Sequence, residues 1–294
     1  MGFLDQFKSM LGGSKLDVDE RFQRLRSAVS GTMSHFYLAR DHKTGQTVGL
    51  KIAKPDKLEA FESRFKGLKK PTEGEIAIGL KHPRLVETVE YGTTTKGLPY
   101  LVMEYLDGPG LHELIHNRDP ELQGKRLNLI RQMAEAIGYV HDQGYIHRDI
   151  CPRNFICSKD LSSLKLIDFG LSLPSKKEFM QPGNRTGTPH YMSPEVVRRR
   201  PTDQRLDIFS FGVTIYQLCT FEFPWPSPDS EKAALAAISH DTMPPRNILE
   251  YVPTLHPQLA SAIMQCLAAD PNKRPQTMRE FTRLIWDLTE QDSP

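Results

Sequence analysis

The spacing of apolar residues changes period several times along the chain. Phe3, Leu4, Phe7, Met10 and Leu11 fall at i, i+1, i+4, i+7 and i+8, one face of a short amphipathic helix that Gly12-Gly13 ends. From Phe22 to Lys54 the pattern is that of strands with turns. Phe36-Tyr37-Leu38-Ala39 and Thr47-Val48-Gly49-Leu50-Lys51-Ile52 are β-prone, and Lys43-Thr44-Gly45-Gln46 between them predicts a hairpin turn. A charge-rich stretch from about Lys57 to Lys81 predicts helix. Pro99 to Met103 predicts an apolar strand that runs into a turn at Asp107-Gly108. Between Glu121 and Gln143, Leu127, Ile130, Ala134, Ile137, Val140 and His141 recur at helical spacing, and Gly144 ends the run. Leu164, Leu166 and Ile167 read as a strand. The polar segment after them, to Pro194-Glu195, contains Gly183, Asn184, Gly187 and Pro189, which oppose regular structure. Proline-rich turns at Pro224–Pro228 and Pro244–Pro257 precede a last helical stretch.

At 294 residues the chain is long enough for a sizeable core, as one large domain or two modest ones. Its 38% hydrophobic and 25% charged content is that of an ordinary globular protein. Lys plus Arg number 38 against 36 Asp plus Glu, so no global field draws it to nucleic acid or lipid, and neither is expected as its main partner. No apolar run approaches the roughly 18–20 residues of a membrane span. Cys151, Cys157, Cys219 and Cys266 form no CxxC pair and no zinc-ligand spacing. With no secretory signal, a reduced, cytoplasmic setting is expected. The apolar face of residues 1–12 offers a weak contact to a membrane or a partner, against the plainer alternative of a helix docked on its own domain. Gln6 stands where a myristoylation signal has Ser or Thr.

The chemistry concentrates in Tyr145-Ile146-His147-Arg148-Asp149-Ile150-Cys151-Pro152-Arg153-Asn154, followed by Leu166-Ile167-Asp168-Phe169-Gly170. Asp149 can accept a proton from an attacking hydroxyl. Asn154 and Asp168 can supply hard oxygen ligands to Mg²⁺, which takes one or two carboxylates plus substrate phosphates. Together these segments resemble the catalytic loop H-R-D-x-x-x-x-N and the D-F-G of the eukaryotic-type serine/threonine protein kinases. Further matches run from about Phe22 to Leu288, nearly the whole chain.

The resemblance implies an α+β, two-lobed protein kinase-like fold with a β-rich N-lobe, a mainly helical C-lobe and ATP between them. It divides the chain into an N-terminal extension over 1–17 and a kinase domain over 18–290, with the N-lobe at 18–103, the hinge at 104–108 and the C-lobe at 109–290. Lys51, in Val48-Gly49-Leu50-Lys51, follows Phe36 by fifteen residues and is similar to the lysine that holds the α- and β-phosphates. Counting back from Pro83 selects Glu73 as its carboxylate partner, with Glu75 as runner-up. Gly31, Phe36, Met103, Glu104, Leu106 and Ile156 complete the implied nucleotide pocket. Asp207, in Asp207-Ile208-Phe209-Ser210-Phe211-Gly212, would tie down the backbone of the catalytic loop. Arg274 would pair with Glu195. Thr188 matches the threonine held against the catalytic aspartate in serine/threonine kinases. Arg148 would bind a phosphorylated Thr186, with Ser172 and Ser175 less well placed.

The chain also departs from the family pattern. In Val29-Ser30-Gly31-Thr32-Met33-Ser34-His35-Phe36 only Gly31 survives of the phosphate-covering G-x-G-x-x-G-x-V, which implies weak ATP affinity. Gly49 replaces the usual alanine and is expected to trim the roof over adenine. Cys151 stands where these kinases carry a lysine, either as a small filler or as a redox-sensitive thiol. Arg153, four residues after Asp149, resembles the arginine that many tyrosine kinases use for the task of that lysine, which implies that it offsets γ-phosphate charge, a salt bridge to the activation segment being the competing role. The expected reaction is transfer of the ATP γ-phosphoryl group to Ser or Thr of a protein, with Mg²⁺ or Mn²⁺, and with autophosphorylation in the activation segment. Two alternatives stand beside it: a pseudokinase scaffold that binds nucleotide, motivated by the eroded loop, and a small-molecule phosphotransferase of the aminoglycoside-kinase kind.

Overall fold

The computed structural model describes residues 15–26, 29–31, 33–183, 185–226, 240, 242–289 and 291. The amphipathic segment expected over 1–12 lies outside the described residues. The chain divides into two compact units. One comprises the described residues up to Lys81 together with Val86–Leu106, and the other His82–Leu85 and the described residues from Asp107 onward.

The first unit is built on an antiparallel sheet. Helix α1 (Val18–Arg21) leads into strands β1 (Phe22–Arg24), β2 (Val29–Ser30), β3 (Ser34–Asp41) and β4 (Thr47–Ala53); helices α2 (Pro55–Glu62) and α3 (Glu73–Gly79) follow, then β5 (Thr88–Thr93) and β6 (Pro99–Glu104). The strand order is β1-β3-β4-β6-β5, with β2 paired to β3. The expected β3–β4 hairpin forms, with Gly45 at φ 72° and its amide on the Asp41 carbonyl at 2.7 Å. Along β4, Val48, Leu50 and Ile52 enter a core with Phe22, Ala39, Tyr100 and Val102. The two-residue period then places Gly49 and Lys51 on the opposite face. Each fully buried aliphatic side chain of this core contributes about 1.5–3 kcal/mol.

The charge-rich stretch expected as helix over 57–81 is two short helices instead. After α2 a 3₁₀ turn over Ser63–Phe65 ends at Lys66 with ψ 128°, Gly67 follows at φ 86°, and Pro71 cannot donate into a continuing helix. Helix α3 restarts from Thr72 by a capping box, in which the Thr72 hydroxyl accepts from the Glu75 amide and the Glu75 carboxylate accepts from the Thr72 amide. Gly74 is required here because a Cβ would lie 2.4 Å from Cδ2 of Tyr91 on β5. That absence lets α3 lie against the sheet.

The second unit is mainly helical. Its elements are α4 (Leu111–His116), α5 (Arg126–Asp142), β7 (Tyr145–Ile146), β8 (Phe155–Cys157), β9 (Leu164–Leu166), β10 (Leu173–Pro174), α6 (Pro194–Val197), α7 (Arg205–Thr220), α8 (Pro257–Cys266) and α9 (Met278–Leu284). Helix α5 carries the predicted apolar spacing, with Leu127, Ile130, Ala134, Ile137 and Val140 all buried. Helix α7 is buried on every side from Leu206 to Thr220, as expected of a helix that is apolar nearly all round. Short pairs β7–β10 and β8–β9 hold the loops between them, and Leu166 N–H donates to the Arg84 carbonyl at 2.8 Å. A β-rich unit and a mainly helical unit make the α+β class that the resemblance implied.

Candidate active site

The loop from His147 to Asn154 leaves β7 and enters β8 through a single 3₁₀ turn at Pro152–Asn154. Both neighbouring strands are paired, so its two ends are fixed. Its backbone is strained: Arg148 sits at φ 70°, and Asp168, after β9, at φ 67°. Left-handed backbone at a residue with a Cβ costs on the order of 1–3 kcal/mol and persists only where surroundings impose it. Asp207 on α7 imposes it at Arg148. Its wholly buried carboxylate accepts from the amides of His147 and Arg148, both at 2.8 Å, and meets Nε2 of His141 at 2.9 Å. Burial pushes the Asp207 carboxyl up, but the His141 hydrogen bond and charge, His147 and the Arg148 amide outweigh it. The net shift is downward.

Asp149 is the centre of this loop. Its Oδ1 accepts from the Thr188 hydroxyl at 2.7 Å and the Thr188 amide at 2.9 Å. Asn154 Nδ2 donates to the Asp149 carbonyl at 2.6 Å and to Oδ2 at 3.2 Å. Burial raises the Asp149 carboxyl above its ordinary range, the Thr188 hydroxyl pulls it down, and the negative charge of Asp168 raises it again; the net shift is upward. Asp168 is exposed, and its Oδ1 accepts from the Gly170 amide at 2.9 Å. Phe169 turns inward, buried, with its ring edge-on to His147 at 5.4 Å. Asp149, Asn154, Thr188 and Asp168 are thus gathered in one place.

The neighbouring residues separate the alternatives left by sequence. Cys151 is buried, and burial together with the Asp149 charge pushes its thiol up to about 12, which fits the filler and not the reactive thiol. The Arg153 side chain is exposed and makes no hydrogen bond or ion pair among the described residues, so the competing salt bridge to the activation segment is absent there. Arg148 Nη2 donates to the Thr186 hydroxyl at 3.2 Å. Ser172 is buried and Ser175 exposed. Glu195 accepts both Arg274 terminal nitrogens, at 2.7 and 2.8 Å, in a buried fork that also caps carbonyls of Arg205, Ala268 and Ala269.

In the first unit, Lys51 Nζ pairs with the Glu73 carboxylate. Glu75 is engaged in the capping box, which separates the two candidates. Phe36 faces Lys51 across β3–β4, and Gly49 faces Met103 across β4–β6. A Cβ at Gly49 would come within 2.9 Å of both the Phe36 ring and Met103 Cγ. The space that a Cβ at Gly49 would take is therefore filled by those two side chains. The Gly31 amide is occupied in the hairpin, on the Ser34 carbonyl at 3.0 Å, and Lys54 Nζ holds the Gly31 carbonyl at 2.6 Å. Glu104 exchanges contacts with Glu87, amide to carbonyl at 2.9 Å and carboxylate to amide at 2.8 Å. Leu106 ends this unit, whereas Ile156 lies on β8 in the other, bridged to Gly110.

Sequence reasoning missed His141 as a polar group, counting it only within the apolar period of α5. A histidine at such a position, just before the H-R-D loop, was the available signal. It also missed the props of the activation segment. Tyr191 donates to Gln217 at 2.5 Å, Ser210 donates to the Tyr191 carbonyl at 2.7 Å, and buried His240 meets the Met192 carbonyl at 2.9 Å.

The model of the protein kinase domain matches residues 22–286. The chain belongs to the protein kinase family. It is 30% identical to the serine/threonine-protein kinase PknB of Mycolicibacterium smegmatis over 90% of this chain and 42% of that one. PknB of Mycobacterium tuberculosis is 31% identical over 85% of this chain and 40% of its own length. The serine/threonine-protein kinase pkn2 of Myxococcus xanthus is 32% identical over 92% of this chain and 33% of its own. The chain thus spans about two fifths or less of the length of these curated relatives. Kinases of this family work with ATP and a divalent metal ion. Neither the scaffold nor the small-molecule alternative gains support from these relatives, which are named as serine/threonine-protein kinases. Among the described residues no helix is long and apolar enough to cross a membrane.

Proposed function

We propose that the chain is a protein kinase that transfers the γ-phosphoryl group of ATP to serine or threonine hydroxyls of proteins, with Mg²⁺ as its metal and Mn²⁺ as a substitute. The observation that carries this is the Thr188 hydroxyl and amide on Asp149 Oδ1, beside Asn154 and Asp168. Asp149 orients the acceptor hydroxyl and takes its proton, and a carboxyl held above its ordinary range is a better base for that step. The donor set suits Mg²⁺: Asn154 has its amide nitrogen on Asp149, leaving the carbonyl end for a cation, and Asp168 adds an exposed carboxylate. Both are hard oxygen donors. When bound, the metal neutralises phosphate charge. Lys51, steadied by Glu73, clamps the phosphates, and exposed Arg153 offsets charge on the transferred group. Gly31, Phe36, Met103, Glu104, Leu106 and Ile156 are assigned to the nucleotide. Residues 18–290 are proposed as the kinase domain and 1–17 as an extension with a weak contact role, in a cytoplasmic setting.

Intact-mass and phosphosite analysis after incubation with Mg²⁺ and ATP tests the reading, with Asp149→Asn as control. Phosphate on Ser or Thr of the chain or of a generic protein acceptor, absent in the control, is the expected result. Nucleotide binding with no transfer by the wild type would overturn it. Thr186→Ala reports on the segment: the variant is expected to lose phosphate from Ser172–Thr188 and to fall in rate.

A further inference from the structure

Residues of helices α5 and α9 line a groove of about 620 Å³ on the second unit, within the range of small-molecule sites. Nothing in the proposed reaction uses it. Its walls are chemically distinct. On one side the His82 ring stacks on Tyr139, with centroids 4.6 Å apart and planes at 28°. Helix α9 contributes Arg279 and Arg283, one turn apart and both exposed. Neither guanidinium makes a hydrogen bond or ion pair among the described residues. The acidic groups of the groove are mostly engaged: Glu135 meets His82 at 3.5 Å and Arg84 at 3.3 Å, and Glu280 accepts from the Gln276 amide at 2.6 Å. Asp142 is the remaining lining carboxylate.

His141 gives the groove a connection. Its side chain is 5% exposed and forms part of the wall. Its Nδ1 is buried with no hydrogen-bond partner, so among the described residues the ring is held through Nε2, on Asp207, which in turn holds the strained amides of His147 and Arg148. A displacement of the ring therefore bears on the carboxylate that fixes the loop.

We propose that this groove binds a small molecule joining a planar ring to a phosphate or carboxylate, and that its occupancy is passed through His141 and Asp207 to the catalytic loop. The ring lies against His82 and Tyr139, where aromatic contact favours offset or edge arrangements. The anion lies across Arg279 and Arg283, whose planar forks match its oxygens.

Phenyl phosphate is the probe, titrated with a non-hydrolysable ATP analogue and Mg²⁺ at saturation so that the nucleotide site is closed to it. The readouts are the imidazole ¹H–¹⁵N signals of His82 and His141 and the backbone amides of His147 and Arg148. Saturable shifts of all four are expected. Inorganic phosphate and phenol, each half of the probe, should bind roughly tenfold more weakly or worse, as should phenyl phosphate on the Arg279→Glu, Arg283→Glu variant. Absence of saturable shifts, or equal affinity in that variant, overturns the site. Shifts at His82 with unmoved His147 and Arg148 amides overturn the transmission. No readout requires phosphoryl transfer, so failure here is separable from failure of the kinase reading.

Discussion

Replacing Asp207 by Asn isolates what holds the catalytic loop. The wild-type carboxylate receives two backbone amides and a histidine nitrogen, all within 2.9 Å and shielded from water. The amide side chain has one acceptor oxygen in place of two, so one of the His147 and Arg148 N–H groups is left facing an NH₂. An unsatisfied buried donor costs about 1–3 kcal/mol, and loss of the charged character of the other bonds about 1 kcal/mol more. The left-handed Arg148 backbone, on the order of 1–3 kcal/mol unfavourable, then loses its main restraint. The expected total is about 2–4 kcal/mol, a large part of the 5–15 kcal/mol typical of a domain. Guanidinium unfolding followed by tryptophan fluorescence measures it, because buried Trp225 stacks on Phe209 of α7 with centroids 5.8 Å apart. Phosphoryl transfer on the same samples should fall well beyond the fraction unfolded. An Asp207→Asn protein within about 0.5 kcal/mol of wild type and fully active would refute the reasoning.

Three further outcomes follow from other parts of the second unit. Glu195→Ala leaves the Arg274 guanidinium buried and uncompensated and should cost about 3–5 kcal/mol in denaturant unfolding, while the paired Glu195→Leu, Arg274→Met change should recover part of it; a cost below about 1 kcal/mol would count against the buried fork. His240 has its pKa lowered by burial to about 4, so the fold favours its neutral form. Its contribution is complete above the unfolded value near 6.5 and lost as pH falls from there through 4, by about 3 kcal/mol; His240→Gln should flatten that part of the stability–pH curve, and an unchanged slope would contradict it. Asp149 is shifted upward, so its contribution is present below the ordinary carboxylate range and lost as pH rises through the raised value. Without metal or nucleotide, Asp149→Asn should therefore match or exceed wild-type melting temperature at pH 7 and lose that advantage near pH 4, and an advantage that grew in acid would show the sign to be wrong.

The parts legible in sequence were those written in local period or in a motif. The β3–β4 hairpin followed from two β-prone runs around Lys43–Gln46, and α5 from its apolar spacing. The stretch over 57–81 was misread because charge-rich composition carries no strong period, although Gly67 and Pro71 were punctuation in plain view. The choice between Glu73 and Glu75 was also readable: Thr72-x-x-Glu75 is a capping-box signature, and it removes Glu75 from competition for Lys51. Contacts such as His141 with Asp207, 66 residues apart, leave no local trace. Nor does the filling of space above Gly49, which depends on Phe36 and Met103 arriving from two other strands.

Electrophilic ligands aimed at the catalytic loop will find no handle in Cys151. All four thiols are buried, and at pH 7.4 a thiol with a pKa near 12 is ionised only to roughly one part in 10⁴–10⁵, too little thiolate to attack an acrylamide at a useful rate. The same burial shields the four thiols from mild oxidants. The thiol at this position is closed off by packing alone, and a ligand of the loop must hold on without a bond to Cys151.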